Sequence, residues 1–266
     1  MLGLKMLIEM MKTLGSDIKL ENDTLYIDNK NTSPSLIGEK YASKIRASYY
    51  FMGAMLGKYK HVEMSFPGGC SIGKRPIDLH LKGFKAMGAK ITGDEENIII
   101  DADKLVGADI YLDFASVGAT INIMLAAVRA KGKTVIKNAA KEPEIPNIAE
   151  LLNKMGADIK GAGTNVITIN GVDHLGSCEH RVLPDRIEAG TYAIIGASCA
   201  SNLRINNIVP EHIDSLLEKL KEMNSETVAW IRFDEPSQIS YPVVKGPDND
   251  KYLHTTFEGK KNSAGT

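Results

Sequence analysis

Apolar residues recur at helical spacing in four stretches of the chain, and the stretches end alike. Thr13-Leu14-Gly15-Ser16-Asp17-Ile18, Ala86-Met87-Gly88-Ala89-Lys90-Ile91 and Lys154-Met155-Gly156-Ala157-Asp158-Ile159 match closely, and Glu222-Met223-Asn224-Ser225 holds the next expected place. Self-similarity at a fixed period reports repeated structural units. The marker positions 15, 88, 156 and 224 are 73, 68 and 68 residues apart. Counting back 1, 4, 8 and 11 from each gives Leu14, Met11, Leu7, Leu4; Met87, Phe84, His80, Ile77; Met155, Leu152, Ile148, Ile145; and Met223, Leu220, Leu216, Ile213. All but His80 are apolar, so each unit is predicted to hold an amphipathic helix. The helix stops at Gly or Asn, which accept the left-handed conformation of a helix C-terminus. Pro76, Pro143 and Pro210, spaced 67 residues apart, stand near the start of three of these helices, where a missing N–H costs little.

Short strand-like runs follow the helices: Ile18 to Leu20 with Leu25 to Ile27, Ile98 to Ile100, and Val166 to Ile169. A second, more apolar helix precedes the first kind in three units. It aligns Ser48 with Thr120 and Thr191, Met52 with Met124 and Ile195, and Leu56 with Val128 and Cys199. The predicted unit is therefore β-α-β-α-β-β. Helices this apolar are buried on most sides, which favours helices packed inside with sheets outside, an inside-out α/β barrel. From about Asp248 to Thr266 the text is polar and without period, and reads as a mobile tail or an interrupted unit.

Composition narrows the function classes. The 266 residues, 43% hydrophobic and 24% charged, suit one large or two modest globular domains. Thirty-two Lys and Arg against 33 Asp and Glu leave a net charge of -1, so no global field recruits nucleic acid or an anionic membrane. An anionic ligand has to be held by a local cluster. Apolar runs such as Ile123 to Val128 fall far short of the roughly 20 residues that span a bilayer, and Lys5, Glu9 and Lys12 interrupt the start as no signal peptide would. A soluble, cytoplasmic chain is expected. Cys70, Cys178 and Cys199 are odd in number and show no CxxC spacing, so neither a disulfide framework nor a zinc site is encoded.

Where units are copies, function is expected where one copy departs. The interval from the apolar helix to the opening proline is 28 residues from Ser48 to Pro76, 23 from Thr120 to Pro143, and 19 from Thr191 to Pro210. The longest carries Phe66-Pro67-Gly68-Gly69-Cys70-Ser71-Ile72-Gly73-Lys74-Arg75, which leads into Pro76-Ile77-Asp78-Leu79-His80. Three glycines suit a flap that closes over a ligand, or simply a loop. Cys70 stands beside Lys74, Arg75 and a helix start, and neighbouring positive charge lowers a thiol pKa, so it can act as proton donor or nucleophile. The helix start at Pro76, with Arg75, makes a phosphate seat. His80 is either a satisfied core histidine or a catalyst. Arg46 opens the first apolar helix, as an anion-binding group or a surface arginine. Ser116-Val117-Gly118-Ala119-Thr120 offers backbone N–H groups at a helix start, as a ligand seat or an ordinary serine cap.

These runs, together with Asn138-Ala139-Ala140-Lys141-Glu142-Pro143-Glu144-Ile145 and Arg181-Val182-Leu183-Pro184-Asp185-Arg186-Ile187-Glu188-Ala189-Gly190-Thr191, closely resemble the UDP-N-acetylglucosamine 1-carboxyvinyltransferase family of enolpyruvyl transferases. The likeness runs in order from about Leu4 to Arg232. It implies an inside-out barrel of six units in two domains, with the substrate site between them. It implies transfer of the enolpyruvyl group of phosphoenolpyruvate to the 3-hydroxyl of UDP-N-acetylglucosamine, the first committed step of peptidoglycan synthesis, with release of phosphate and without metal or organic cofactor. By position, the resemblance makes Cys70 the proton donor that forms an adduct with phosphoenolpyruvate. Arg75 would touch both substrates, Pro76, Ile77, Asp78 and Leu79 with Ser116, Val117 and Gly118 would hold the nucleotide sugar, and Arg46 would contact its charged portion.

The family's opening Lys-Asn-Ala-Ala-Leu-Pro segment has no match here, nor does the far-domain Asp that accepts the hydroxyl proton, and Phe114 stands where some members have a substrate-contacting Lys. The expectation is a family chain shortened at both ends. Residues 1–184 would form a first domain lacking the start of its first repeat, and 185–266 the beginning of a second with a divergent tail. Such a chain alone is expected to turn over at background. The alternatives are the shikimate-pathway enolpyruvyl transferase, which lacks the Cys-bearing flap, and an inactive fragment that binds only the nucleotide sugar or a complete paralogue. Cys70 is expected to be alkylated before Cys178 and Cys199 by an epoxide such as fosfomycin, the family's inhibitor. Peptide mapping checks the order of labelling.

Overall fold

The computed structural model describes residues 2–66, 76–94, 96–199, 202–223, 230–232, 240–242 and 252–255. The chain divides into two compact units, Met1–His180 and Arg181–Thr266. The boundary expected after residue 184 lies four residues beyond that division.

The first unit runs α1 (Leu2–Thr13), β1 (Asp17–Glu21), β2 (Thr24–Asp28), α2 (Glu39–Ala42), a 3-10 turn (Arg46–Tyr49), α3 (Tyr50–Tyr59), β3 (His61–Ser65), α4 (Asp78–Ala86), β4 (Lys90–Gly93), β5 (Asn97–Asp101), β6 (Asp109–Tyr111), α5 (Val117–Ala127), β7 (Lys133–Lys137), α6 (Glu144–Lys154), β8 (Asp158–Lys160) and β9 (Val166–Asn170). From β6 to β9 the expected β-α-β-α-β-β order is complete. In the preceding copy the opening strand has shrunk to one parallel bridge, Ile37 to Met64. That bridge keeps the parallel sense of the β6–β7 pair. Three sheets result, β1-β2, β3-β5-β4 and β6-β7-β9-β8.

The three marker glycines do what their spacing predicts. Gly15, Gly88 and Gly156 have φ of 96°, 93° and 101°, the left-handed region that a side chain disfavours and glycine enters freely. Each closes its helix and sends the chain into a strand.

α5 occupies the middle of the unit because it is apolar on every side. Gly118 to Met124, Ala126 and Ala127 are all buried, and α3, α4 and α6 pack against it. The strands show the complementary pattern: β7 and β9 bury alternate residues such as Ile136, Ile167 and Ile169 against the helices and turn the others outward. Helices lie inside and sheets outside, as their composition requires.

The stripe Ile77, His80, Phe84 and Met87 is buried along its whole length. The terminal copies deviate. In α1, Leu4 is 47% exposed and Met10, one position off the counted stripe, takes the fully buried place. In the last copy Met223 is 77% exposed.

The second unit contains α7 (Arg186–Cys199), β10 (Asn202–Ile205), a 3-10 turn (Pro210–His212), α8 (Asp214–Glu222), β11 (Trp230–Arg232), β12 (Ser240–Pro242) and β13 (Tyr252–Thr255). Pro210 therefore opens a 3-10 turn, and α8 starts four residues later. The register expected for α7 is not the one it buries. Thr191 and Ile195, aligned with the buried Thr120 and Met124, are exposed, whereas Ala189 and Ala193 are buried. Within its own unit α7 packs chiefly on β10 and α8, and Ala189 and Ala193 lie on the covered face. The side chain of Cys199, expected in the core, lies outside the described residues. Of the stretch read as a mobile tail or an interrupted unit, Tyr252–Thr255 forms β13 and pairs in parallel with β10. Four residues are too few to show a period in sequence.

α3 and α5 cross at backbone distance. A Cβ added at Gly53 would overlap the Asn122 carbonyl oxygen and stand 2.7 Å from its Oδ1, and one at Gly57 would stand 2.8 Å from the Leu125 carbonyl oxygen. Backbone cannot retreat as a flexible side chain can. Gly53→Ala should therefore destabilise the chain by about 2–3 kcal/mol, read as a lower denaturation midpoint in urea, whereas Gly38→Ala, where nothing lies within 4 Å of the added Cβ, should leave the midpoint unchanged.

Candidate functional site

Three chain segments start side by side in the first unit: the 3-10 turn at Arg46, α4 at Asp78 and α5 at Val117. Ser116 caps α5, its Oγ accepting the Ala119 N–H at 3.3 Å, which leaves other first-turn N–H groups available. Ile77 and Leu79 are buried in the core while Pro76 and Asp78 are exposed. Of the run 76–79, then, Ile77 and Leu79 can offer a ligand only their main chain.

Arg46 is half-buried, with its guanidinium carbon 5.2 Å from the centre of the Tyr49 ring. Tyr49 meets the rings of His80 and Tyr50 edge-on, at centroid distances of 4.8 and 4.5 Å. Gly118 touches the same group: a Cβ there would stand 2.6 Å from the Tyr49 hydroxyl and 3.1 Å from His80 Cε1. The sequence-derived candidates Arg46 and Gly118 are thus brought together through Tyr49 and His80, with Ser116 and Val117 one and two residues before Gly118. Cys70 and Arg75 lie outside the described residues. The chain that carries them joins Phe66, at the end of β3, to Pro76, at the start of α4.

Two members of this cluster escaped the sequence reading. Asn122 is fully buried in the most apolar helix. Its Oδ1 accepts the Gly53 N–H at 2.8 Å, and its Nδ2 donates to the Tyr49 carbonyl at 2.9 Å and meets His80 Nδ1 at 2.8 Å. Its signal in the sequence was a single amide among Ile121, Ile123 and Met124, because a buried polar group has to find partners. Tyr49 gave no comparable signal.

His80 is 4% exposed. Burial pushes its pKa down to about 4, the Arg46 cation adds to that shift, and Asp78 partly opposes it. Loss of water penalises the charged ring most, so His80 is neutral near pH 7. Burial likewise drives the Tyr50 hydroxyl far above its usual pKa, assisted by its hydrogen bond with Tyr49. The His80 and Tyr50 side chains are thus uncharged near pH 7, and the charges acting on them are Arg46 and Asp78 at His80 and Glu144 at Tyr50. No three His, Cys, Asp or Glu side chains among the described residues cluster as metal ligands. An open depression of about 550 Å³ on α6 and β8, lined by Pro146, Glu150, Asn153 and Lys154, contains none of the candidate residues.

The fold and the grouped helix starts define a class. Residues 4–246 match the model of the EPSP synthase (3-phosphoshikimate 1-carboxyvinyltransferase) family, and the chain belongs to that family of enolpyruvyl transferases. Within it, the chain is 54% identical over 220 residues to UDP-N-acetylglucosamine 1-carboxyvinyltransferase 2 of Shouchella clausii, covering 83% of this chain and 51% of that protein. It is 52% identical over 215 residues to the Bacillus subtilis protein of the same name, with 81% and 50% covered. The chain therefore spans about half the length of these curated relatives. Among solved structures it is similar to the enolpyruvyl transferase NikO of Streptomyces tendae (TM-score 0.74, 18% identity, 91% of this chain and 57% of that one). It is also similar to EPSP synthase of Acinetobacter baumannii (TM-score 0.61, 22% identity, 91% and 55% covered). At those identities the structures establish the fold. No helix among the described residues is long and apolar enough to cross a membrane.

The depressed His80 pKa makes stability depend on acid. The unfolded chain binds a proton near pH 6.5 and the folded chain only near pH 4, so this group's contribution is complete above 6.5 and is lost as pH falls through that window. His80→Gln should flatten the decline in unfolding free energy between pH 7 and pH 4 by on the order of 3 kcal/mol, measured by urea titrations at each pH on both proteins.

Proposed function

We propose that this chain carries the nucleotide-sugar wall and the reactive flap of an enzyme that transfers the enolpyruvyl group of phosphoenolpyruvate to the 3-hydroxyl of UDP-N-acetylglucosamine. The observation that carries the reading is the convergence of Arg46, Asp78 and Ser116–Gly118 at three neighbouring segment starts, in a chain 54% identical to a relative named for that reaction. The chemistry fits the residues. Backbone N–H groups at the start of α5 and the Arg46 guanidinium suit a diphosphate. Pro76 to Leu79 supply a rim of main-chain groups. Cys70 is the acid that protonates the methylene carbon as the sugar oxygen adds to the neighbouring carbon and its hydroxyl proton passes to a base; phosphate then leaves together with a proton from the new methyl group, which restores the double bond, and Arg75 stabilises the departing phosphate.

On this reading the substrates are the two small molecules, no metal or organic cofactor takes part, and neither nucleic acid nor membrane is a partner. The setting is the cytoplasm, in cell-wall biogenesis, with consequences for cell shape, division and the cell cycle, and fosfomycin is an inhibitor. On this reading residues 1–184 form the first domain and 185–266 begin the second. A second reading is a chain that binds the nucleotide sugar, or a complete paralogue, without turnover. In its favour, the chain spans about half the length of its relatives.

Calorimetry with UDP-N-acetylglucosamine and phosphate-release assays separate the two. Binding that weakens about tenfold in Arg46→Ala, the loss of one charge-assisted contact, is expected on both readings. Phosphate release above background that disappears in Cys70→Ala supports the transferase, and release at background with binding intact supports the second reading. Absence of UDP-N-acetylglucosamine binding by the unaltered chain sinks the transferase reading and the nucleotide-sugar form of the second, and leaves only association with a complete paralogue.

A further inference from the structure

The hydrogen bonds of Asn122 fix the protonation of His80. The Gly53 N–H can only donate and the Tyr49 carbonyl can only accept, so the Asn122 amide has one workable orientation: Oδ1 toward Gly53 and Nδ2 toward Tyr49. The same Nδ2 faces His80 Nδ1 at 2.8 Å. A donor there requires Nδ1 to accept, which places the single ring proton on Nε2. A proton on both nitrogens would set N–H against N–H, so the imidazolium is excluded by geometry as well as by burial. No hydrogen bond among the described residues uses Nε2.

Where that donor sits is set by Gly118. Nε2 is bonded to Cε1, the ring atom 3.1 Å from where a Gly118 Cβ would stand. This N–H, on a residue only 4% exposed, therefore lies beside the first turn of an eleven-residue helix. Arg46, which acts electrostatically on the ring, stacks on the Tyr49 ring between them. The charged and titratable groups around the ring are Arg46 from the 3-10 turn, Tyr49 beside it and Asp78 from its own helix.

We propose that His80 is a ligand-binding residue, a neutral donor whose Nε2–H bonds an anionic oxygen of the nucleotide sugar at the start of α5, and that Asn122 is the positioning residue that holds it in that tautomer. The proposal rests on the reading of this site as a nucleotide-sugar seat. It gives the sequence's anomaly a purpose: the single polar member of the sixteen-residue stripe is in the stripe because its helix register aims it inward. It also explains the choice of residue. A neutral donor holds an oxyanion without adding a charge beside Arg46, and its strength does not change across physiological pH.

Two measurements on the 266-residue chain test it. Long-range ¹H–¹⁵N spectroscopy should find His80 neutral with the proton on Nε2 from pH 8 to pH 5. In Asn122→Asp, where an acceptor replaces the donor, Nδ1 should gain a proton and the ring should titrate at higher pH. Calorimetry with UDP-N-acetylglucosamine should show affinity lowered about ten- to a hundredfold in His80→Phe, the loss expected for a bond to a charged group. His80→Gln, whose side-chain amide reaches toward the Nε2 position, should recover part of it. Circular dichroism on each variant establishes that it is folded. A proton found on Nδ1 in the unaltered chain overturns the proposal, as does a folded His80→Phe that binds within twofold of wild type. If the unaltered chain binds no UDP-N-acetylglucosamine, the seat itself falls and the proposal with it, a different result from binding that His80→Phe leaves unchanged.

Discussion

Everything in the first unit depends on two helices meeting without side chains between them. Gly53 and Gly57 bring α3 against the α5 backbone at Asn122, Leu125 and Ala126. At that separation the Asn122 side chain reaches a main-chain N–H on the neighbouring helix. A wider crossing would strand a buried amide, at a cost of several kcal/mol with neither partner made. The glycines and the asparagine are thus one device: the small residues allow the approach and the polar residue fixes the rotation of one helix against the other. The 3-10 turn and α4 are then oriented from the same amide, through the Tyr49 carbonyl and His80 Nδ1.

The electrostatic character of the site follows from the same packing. Dense apolar surroundings keep His80 neutral and raise the Tyr50 hydroxyl pKa, so the cluster behind the helix starts adds donors and ring edges but no net charge. Arg46 is then the cation of the described cluster, held on an aromatic face that costs little in side-chain freedom. An anion arriving there meets N–H dipoles and one guanidinium, a combination whose strength rises as water is excluded.

Much of this was legible in the sequence, for reasons that differ by residue. The turns at Gly15, Gly88 and Gly156 could be read because only glycine tolerates their φ cheaply, and the complete β-α-β-α-β-β unit because a duplicated pattern is its own control. The opening strand of the earlier copy was not legible, because a single bridge at Ile37 leaves no alternation to see. The face of α7 was misjudged because a sequence repeat predicts equivalent residues, not equivalent neighbours. Arg46 and Gly118 were picked out as departures or helix starts. Asn122 and Tyr49 were missed because their importance lies in contacts 69 and 73 residues away along the chain, which no local pattern encodes.

The repeat also shows how one duplicated unit makes a site from equivalent positions. Arg46 and Gly118 align, as do Ser48 with Thr120 and Tyr50 with Asn122. The hydroxyl pair has kept one job, tying each central helix to nearby chain: Ser48 Oγ donates to the Ala42 carbonyl, and Thr120 Oγ1 accepts the Ala140 N–H. The other pairs have divided theirs. One copy supplies a guanidinium where the other removes its side chain altogether, and the emptied position receives Tyr49 and His80. One copy supplies a phenol whose proton is hard to remove, and the other an amide that binds both helices together. Were the two copies still identical, two arginines would crowd one neutral floor with no room for the rings. Divergence at matched positions therefore solves charge and volume together, which is why the departures from the repeat, and not the repeat itself, mark the place where a ligand is held.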